Sequence, residues 1–237
     1  MHTETTEYRH GGVTFEGFVA HDEVTEGRRP GVLIAHAWMG QDDFARRKAE
    51  QLAELGYVGF AGDIYGKDNR ATDRDGAQKL MQPLVTDRAL LRHRMRASLD
   101  QVRAHRLVDD RRLGAIGFCF GGLCVLDLAR SGATLNGVVA FHGLLHNAPD
   151  LPNGAIQAKI LALHGWDDPM ATPEQVVAFA NEMTNADADW QLHAYGNTMH
   201  AFTNPEANDP AFGTVYDEAA DRRSWAAMRA FFEEVFE

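Results

Sequence analysis

A cysteine with a glycine two positions to either side, Gly117-Phe118-Cys119-Phe120-Gly121, followed by Gly122, stands between an apolar run, Leu113 to Ile116, and a helical pattern, Leu123 to Arg130. A strand-to-helix turn of this composition holds its central side chain up and out, because glycines at those positions let the backbone crowd together. The turn also sets Cys119 at a helix N-terminus. There, unpaired N–H groups and the helix dipole favour the thiolate, the form that attacks carbon or phosphorus. Neither Gly-x-Gly-x-x-Gly after the strand nor a closing Gly-Lys-Ser/Thr is present, so a cradle for cofactor phosphates is a poor fit. No cofactor is expected.

A cysteine nucleophile needs a base to take its proton, and the base needs a third group to fix its tautomer. Two downstream loops could supply them. The apolar run Ile160 to Leu163 enters His164-Gly165-Trp166-Asp167-Asp168-Pro169, which offers two carboxylates. Trp190 to Ala194 enters Tyr195-Gly196-Asn197-Thr198-Met199-His200-Ala201-Phe202, which offers a histidine. The order nucleophile, acid, histidine is that of α/β-hydrolases. His142 and His146, four apart, raise a metallohydrolase reading together with His164, Asp167 and Asp168. They lack the HExxH pattern, however, and read as satisfied loop histidines, so no metal is expected.

These loops must be positioned by strands and helices. Strand-length apolar runs occur at Val13 to Ala20, Gly31 to Ala35, Tyr57 to Ala61, Leu113 to Ile116, Gly137 to Phe141, Ile160 to Leu163 and Trp190 to Ala194. Helical spacing lies between most of them: Ala45, Ala49, Leu52 and Ala53; Leu91, Met95, Leu99 and Val102; Trp225, Met228, Phe232 and Val235. Thr172-Pro173-Glu174-Gln175 reads as a capping box with proline at the first helical position. Alternating strands and helices predict a mostly parallel sheet covered on both faces, and no linker divides the chain, so residues 1–237 read as one α/β domain. Residues 63–87 are the least regular stretch, leaving the C-terminal end of a central strand where open α/β sheets bind ligands.

Composition narrows the partners. With 45% apolar and 24% charged residues, the 237-residue chain is that of a soluble globule, and the net charge of -11 argues against nucleic acid or an anionic membrane. The start is polar, without the apolar segment of a signal peptide, and the expected compartment is the cytoplasm. Cys119 and Cys124 suit neither a disulfide framework nor a paired zinc site. Arg88, Arg92 and Arg96 recur every fourth residue and read as a solvated helix face.

At these motifs the chain resembles the dienelactone hydrolase family of α/β-hydrolases, which uses a Cys-His-Asp triad. The resemblance includes His36-Ala37-Trp38-Met39-Gly40, Gly62-Asp63-Ile64-Tyr65-Gly66, the Cys119 turn, the Asp168 loop and Tyr195-Gly196 to His200-Ala201-Phe202. It implies an α/β-hydrolase fold, a triad of Cys119, His200 and Asp168, with Asp167 as the runner-up acid, and an oxyanion hole from the backbone N–H groups of Trp38 and Phe120. Two departures bear on substrate. The family has Glu where this chain has Ala37, and an arginine four residues past the histidine where this chain has Asn204; Arg70 and Arg74 lie in the region of its other arginine without a residue-level match. Trp38, Met39, Tyr65, Phe120, Trp166 and Phe202 are expected near the mouth of an apolar pocket. The expected substrate is thus a neutral ester or lactone, with activated phosphotriesters as a side activity. The alternatives are a true carboxymethylenebutenolidase, or an acyltransferase working through the same intermediate.

Overall fold

The computed structural model describes all 237 residues. An eight-stranded sheet has the order β1-β2-β4-β3-β5-β6-β7-β8, formed by β1 (His2–His10), β2 (Val13–His21), β3 (Arg29–Ala35), β4 (Val58–Gly62), β5 (Val108–Phe118), β6 (Gly137–Phe141), β7 (Lys159–Gly165) and β8 (Trp190–Tyr195). The first two strands form an antiparallel hairpin, and β2 pairs antiparallel with β4; every pairing from β4 through β3 to β8 is parallel. The strands β3, β4 and β6 are buried along their whole length, and apart from Arg29 at the start of β3 their residues are apolar or glycine, as strands covered by helices on both faces require.

The helices are α1 (Asp43–Glu54), α2 (Arg74–Thr86), α3 (Arg88–Ala104), α4 (Phe120–Arg130), α5 (Pro173–Asn185) and α6 (Glu218–Val235). On one face, side chains of α1 and α6 build a core around Leu52, Phe118, Phe141 and Phe232. On the other, α3, α4 and α5 bury Leu91, Met95, Leu123 and Phe179. Full burial of one such side chain contributes about 1.5–3 kcal/mol. No helix is long and apolar enough to cross a membrane.

Three features depart from the sequence expectation. The polar segment His2–His10 is an edge strand, of which only Tyr8 is buried. The irregular stretch contains α2, whose N-cap Asp73 accepts from Gly76 N–H and which buries only Ala77 and Leu84. The arginine stripe on α3 is not a solvated face. Arg88 and Arg92 are buried, and Arg88 grips Asp127 of α4 with two bonds of 2.5 and 2.6 Å. Arg130 reaches Glu182 of α5 at 2.8 Å, so paired charges tie α3, α4 and α5 together beneath the sheet. Arg96 alone remains exposed, bonded to Ser131.

The chain runs from β3 outward to β4 and then returns to place β5 on the other side of β3. This reversal opens a crevice beyond the C-terminal ends of β3 and β5. It is the place where Ala37-Trp38-Met39 and Cys119 emerge.

Candidate active site

Cys119 follows the last residue of β5 and caps α4 with φ 57° and ψ -118°, a conformation that side-chain-bearing residues rarely adopt. Two glycines make the turn possible. A Cβ at Gly117 would meet Gly121 O at 2.0 Å, and one at Gly121 would meet Ala35 O at 2.1 Å. The sharp turn leaves the Cys119 side chain partly exposed, lining the crevice.

Beyond β7, Asp168 is buried and its Oδ2 lies 2.7 Å from Nδ1 of His200, while its Oδ1 accepts from Met170 N–H at 2.8 Å. Asp167 is exposed to solvent. His200, on the loop after β8, is held by backbone bonds on both sides: its N–H donates to Gly213 O, and its carbonyl accepts from Val215 N–H, each at 3.0 Å. Those partners belong to a small hairpin of β9 (Asn208–Asp209) and β10 (Thr214–Val215). Nε2 of His200 is buried and makes no completed hydrogen bond. Burial opposes protonation of the ring, but the negative charge of Cys119 and the carboxylate of Asp168 outweigh it and raise His200 to about 10. The arrangement can therefore move a proton between sulfur and Nε2 while Asp168 steadies the imidazolium.

Two further histidines support these loops. His36 donates from Nδ1 to Ala37 O at 2.6 Å and accepts at Nε2 from Ile64 N–H at 3.1 Å, bridging the ends of β3 and β4. Burial pushes its pKa down, which keeps the ring neutral and that bridge intact. His142, the first residue after β6, places Nδ1 3.1 Å from Cys119 N and Nε2 2.8 Å from Thr203 Oγ1. The sequence sets a metal pair with His146 against satisfied loop histidines, and His142 is of the second kind: both its nitrogens are engaged within the protein, and no group of three or more His, Cys, Asp or Glu side chains is arranged to hold a metal ion. The available signal was positional: His142 stands immediately after its strand, as Cys119 does.

The crevice has a volume of about 670 Å³ and is lined by Ala37, Trp38, Met39, Cys119, His142 and His200 among others. Four residues expected at its mouth lie elsewhere. Tyr65 is buried, and its hydroxyl donates to Trp38 O at 2.9 Å, supporting the loop instead of the lining. Trp166 projects outward and is 45% exposed, and Phe202 is fully buried, with its ring centre 5.0 Å from that of His142. Phe120 is also buried, as the first residue of α4, so only its backbone can serve the site. The N–H of Trp38 donates to no backbone carbonyl.

Of the two candidate arginines, Arg74 lines the crevice and Arg70 does not; Arg70 instead bonds Gln41 and Glu16. Arg74 is engaged by Asp209 at 2.6 Å and lies over Phe212, whose ring stacks on Trp38 at 5.9 Å. Asp42, Asp73 and Asn204 also line the space, so carboxylates outnumber the one arginine.

The profile of the dienelactone hydrolase family matches residues 15–236. The solved structure of a dienelactone hydrolase-like promiscuous phosphotriesterase, P91, from metagenomic libraries superposes with a TM-score of 0.93 at 38% identity, covering 100% of this chain and 99% of that one. Another solved structure, m3DLH, is 40% identical with a TM-score of 0.92 and 99% of both chains covered. Protein usf of Aquifex pyrophilus is 27% identical over 237 residues, 98% of each chain.

Proposed function

The chain belongs to the dienelactone hydrolase family and is a hydrolase of the ester-bond class, and on that premise we propose that it cleaves neutral carboxylic esters or lactones through a covalent intermediate on Cys119. The observation that carries this reading is that Cys119 and His200 line one crevice, with the buried Asp168 bonded to Nδ1 of His200. The Cys119 sulfur, its proton already held on Nε2 of His200, attacks the carbonyl carbon as the thiolate. The Trp38 and Phe120 N–H groups meet the developing oxyanion, and such donors typically supply about 3–4 kcal/mol each. Collapse breaks the carbon–oxygen bond, and His200 returns the proton to the departing alkoxide. A thioester remains. Water then attacks with His200 taking its proton, and the thiol is regenerated as the acid leaves. Asp168 orients His200 throughout.

The charge of the lining supports a neutral substrate. The arginine in the crevice is already paired with Asp209, and Asp42 and Asp73 face the same space. Likeness to a promiscuous phosphotriesterase favours a second activity at the same sulfur: attack on phosphorus, with an S–P bond forming as an aryloxide leaves. The test is kcat/KM for a neutral aryl ester, a carboxylate-bearing lactone of similar size and a neutral aryl phosphotriester. The neutral ester is expected to lead, and a tenfold preference for the anionic lactone overturns the assignment of substrate charge.

A further inference from the structure

We propose that His142 is a positioning residue that holds the backbone of the nucleophile turn and ties it to the loop carrying His200. The sheet register brings the two residues together. Phe118 of β5 pairs with Phe141 of β6, so the next residues, Cys119 and His142, emerge side by side. The Cys119 N–H is shared between Phe141 O and Nδ1 of His142, each at 3.1 Å. Since Nδ1 accepts, the ring proton sits on Nε2 and is donated to Thr203 Oγ1 at 2.8 Å. Thr203 stands three residues beyond His200. A single ring thus bonds the main chain of the nucleophile and a side chain of the histidine loop.

Two more observations fit that role. His142 has φ 39°, in the left-handed region, where its ring turns toward the site, and it is only 2% exposed. Its ring stands edge-on to His200, with centres 5.1 Å apart. The charged or titratable groups around it are His200 and Cys119 at the site and Lys48 from α1. Burial and the neighbouring His200 hold its pKa well below the usual histidine value. The neutral ring is the form required, because a protonated Nδ1 would point a donor at a donor.

The proposal rests on Cys119 being the nucleophile, so Cys119→Ala accompanies the test. His142→Ala, His142→Asn and Thr203→Val are assayed for kcat and KM on a neutral aryl ester, with melting temperatures. Asparagine tolerates the left-handed backbone and can present Oδ1 where Nδ1 accepts. The expected result is that His142→Ala loses about tenfold in kcat with KM within about twofold, that His142→Asn recovers to within about threefold of the parent, and that Thr203→Val lowers kcat about threefold. A folded His142→Ala with parental kcat, or an asparagine variant as impaired as alanine, overturns the role. If His142→Ala does not fold, the other two variants decide, and parental kcat in Thr203→Val overturns it. Turnover by Cys119→Ala at the parental rate overturns the nucleophile assignment itself, a result distinct from inactive Cys119→Ala beside fully active His142→Ala.

Discussion

Arg74 of α2 donates to the Asp209 carboxylate of the β9–β10 hairpin at 2.6 Å, and the same guanidinium lies 4.5 Å from the centre of the Phe212 ring. Arg74 and Phe212 both line the crevice. The hairpin that supplies Asp209 also carries Gly213 and Val215, which hold the backbone of His200. The partner of the crevice arginine and the backbone support of His200 therefore share one small element.

Asp209→Asn removes the internal partner of Arg74 and leaves its cation free for a substrate. The ratio of kcat/KM for a carboxylate-bearing ester to that for a neutral ester of matched leaving group is expected to rise about threefold to fivefold. The gain should fade in 1 M salt, where the screening length falls to about 3 Å. An unchanged ratio at low salt would show that Arg74 does not meet the acyl group.

The exposed Asp167 and the buried Asp168 differ in their access to Nδ1 of His200. Asp168→Asn loses the acceptor that fixes the ring and is expected to lower kcat by about a hundredfold or more. Asp167→Asn should stay within about twofold. Steady-state kinetics on the two variants check this, and the reverse order would assign the acid to Asp167.

Stability should fall on the acid side. Burial lowers the pKa of His36, His142 and His164, so below their unfolded value of about 6.5 the unfolded chain binds more protons. Each can then contribute a slope of up to about 1.4 kcal/mol per pH unit. His200 has the opposite sign: raised to about 10, its contribution is present below 6.5 and is lost as pH rises through about 10. Denaturant unfolding at pH 7, 6 and 5 is expected to show the decline, with a shallower slope for His142→Asn than for the parent; equal slopes would mean that His142 is not held neutral.

How much of this was legible in the sequence depended on whether a residue's role is set by its near neighbours. The Cys119 turn was readable because Gly117 and Gly121 stand where a side chain cannot fit. Asp168 and His200 were readable as residues of loops that follow apolar strands. The helix α2 was missed because it buries only Ala77 and Leu84, too few for an amphipathic signal, and β1 because only Tyr8 faces the core. Arg88 and Arg92 carry the spacing of a solvated stripe, but Asp127, which lies 39 residues beyond Arg88, makes that face an internal one. His142 depends on the pairing of Phe118 with Phe141, a tertiary register that local pattern does not encode. Tyr65, Trp166 and Phe202 lie near the right loops, and side-chain direction alone sends them into support, solvent and core.

The central claim is a covalent bond to Cys119. Mixing the protein with a slowly deacylating neutral aryl ester, quenching in acid and mapping the peptides by mass spectrometry should find one acyl group, carried by Cys119 and absent from Cys119→Ala. Acylation at another residue, or full turnover by Cys119→Ala with no adduct, would contradict it.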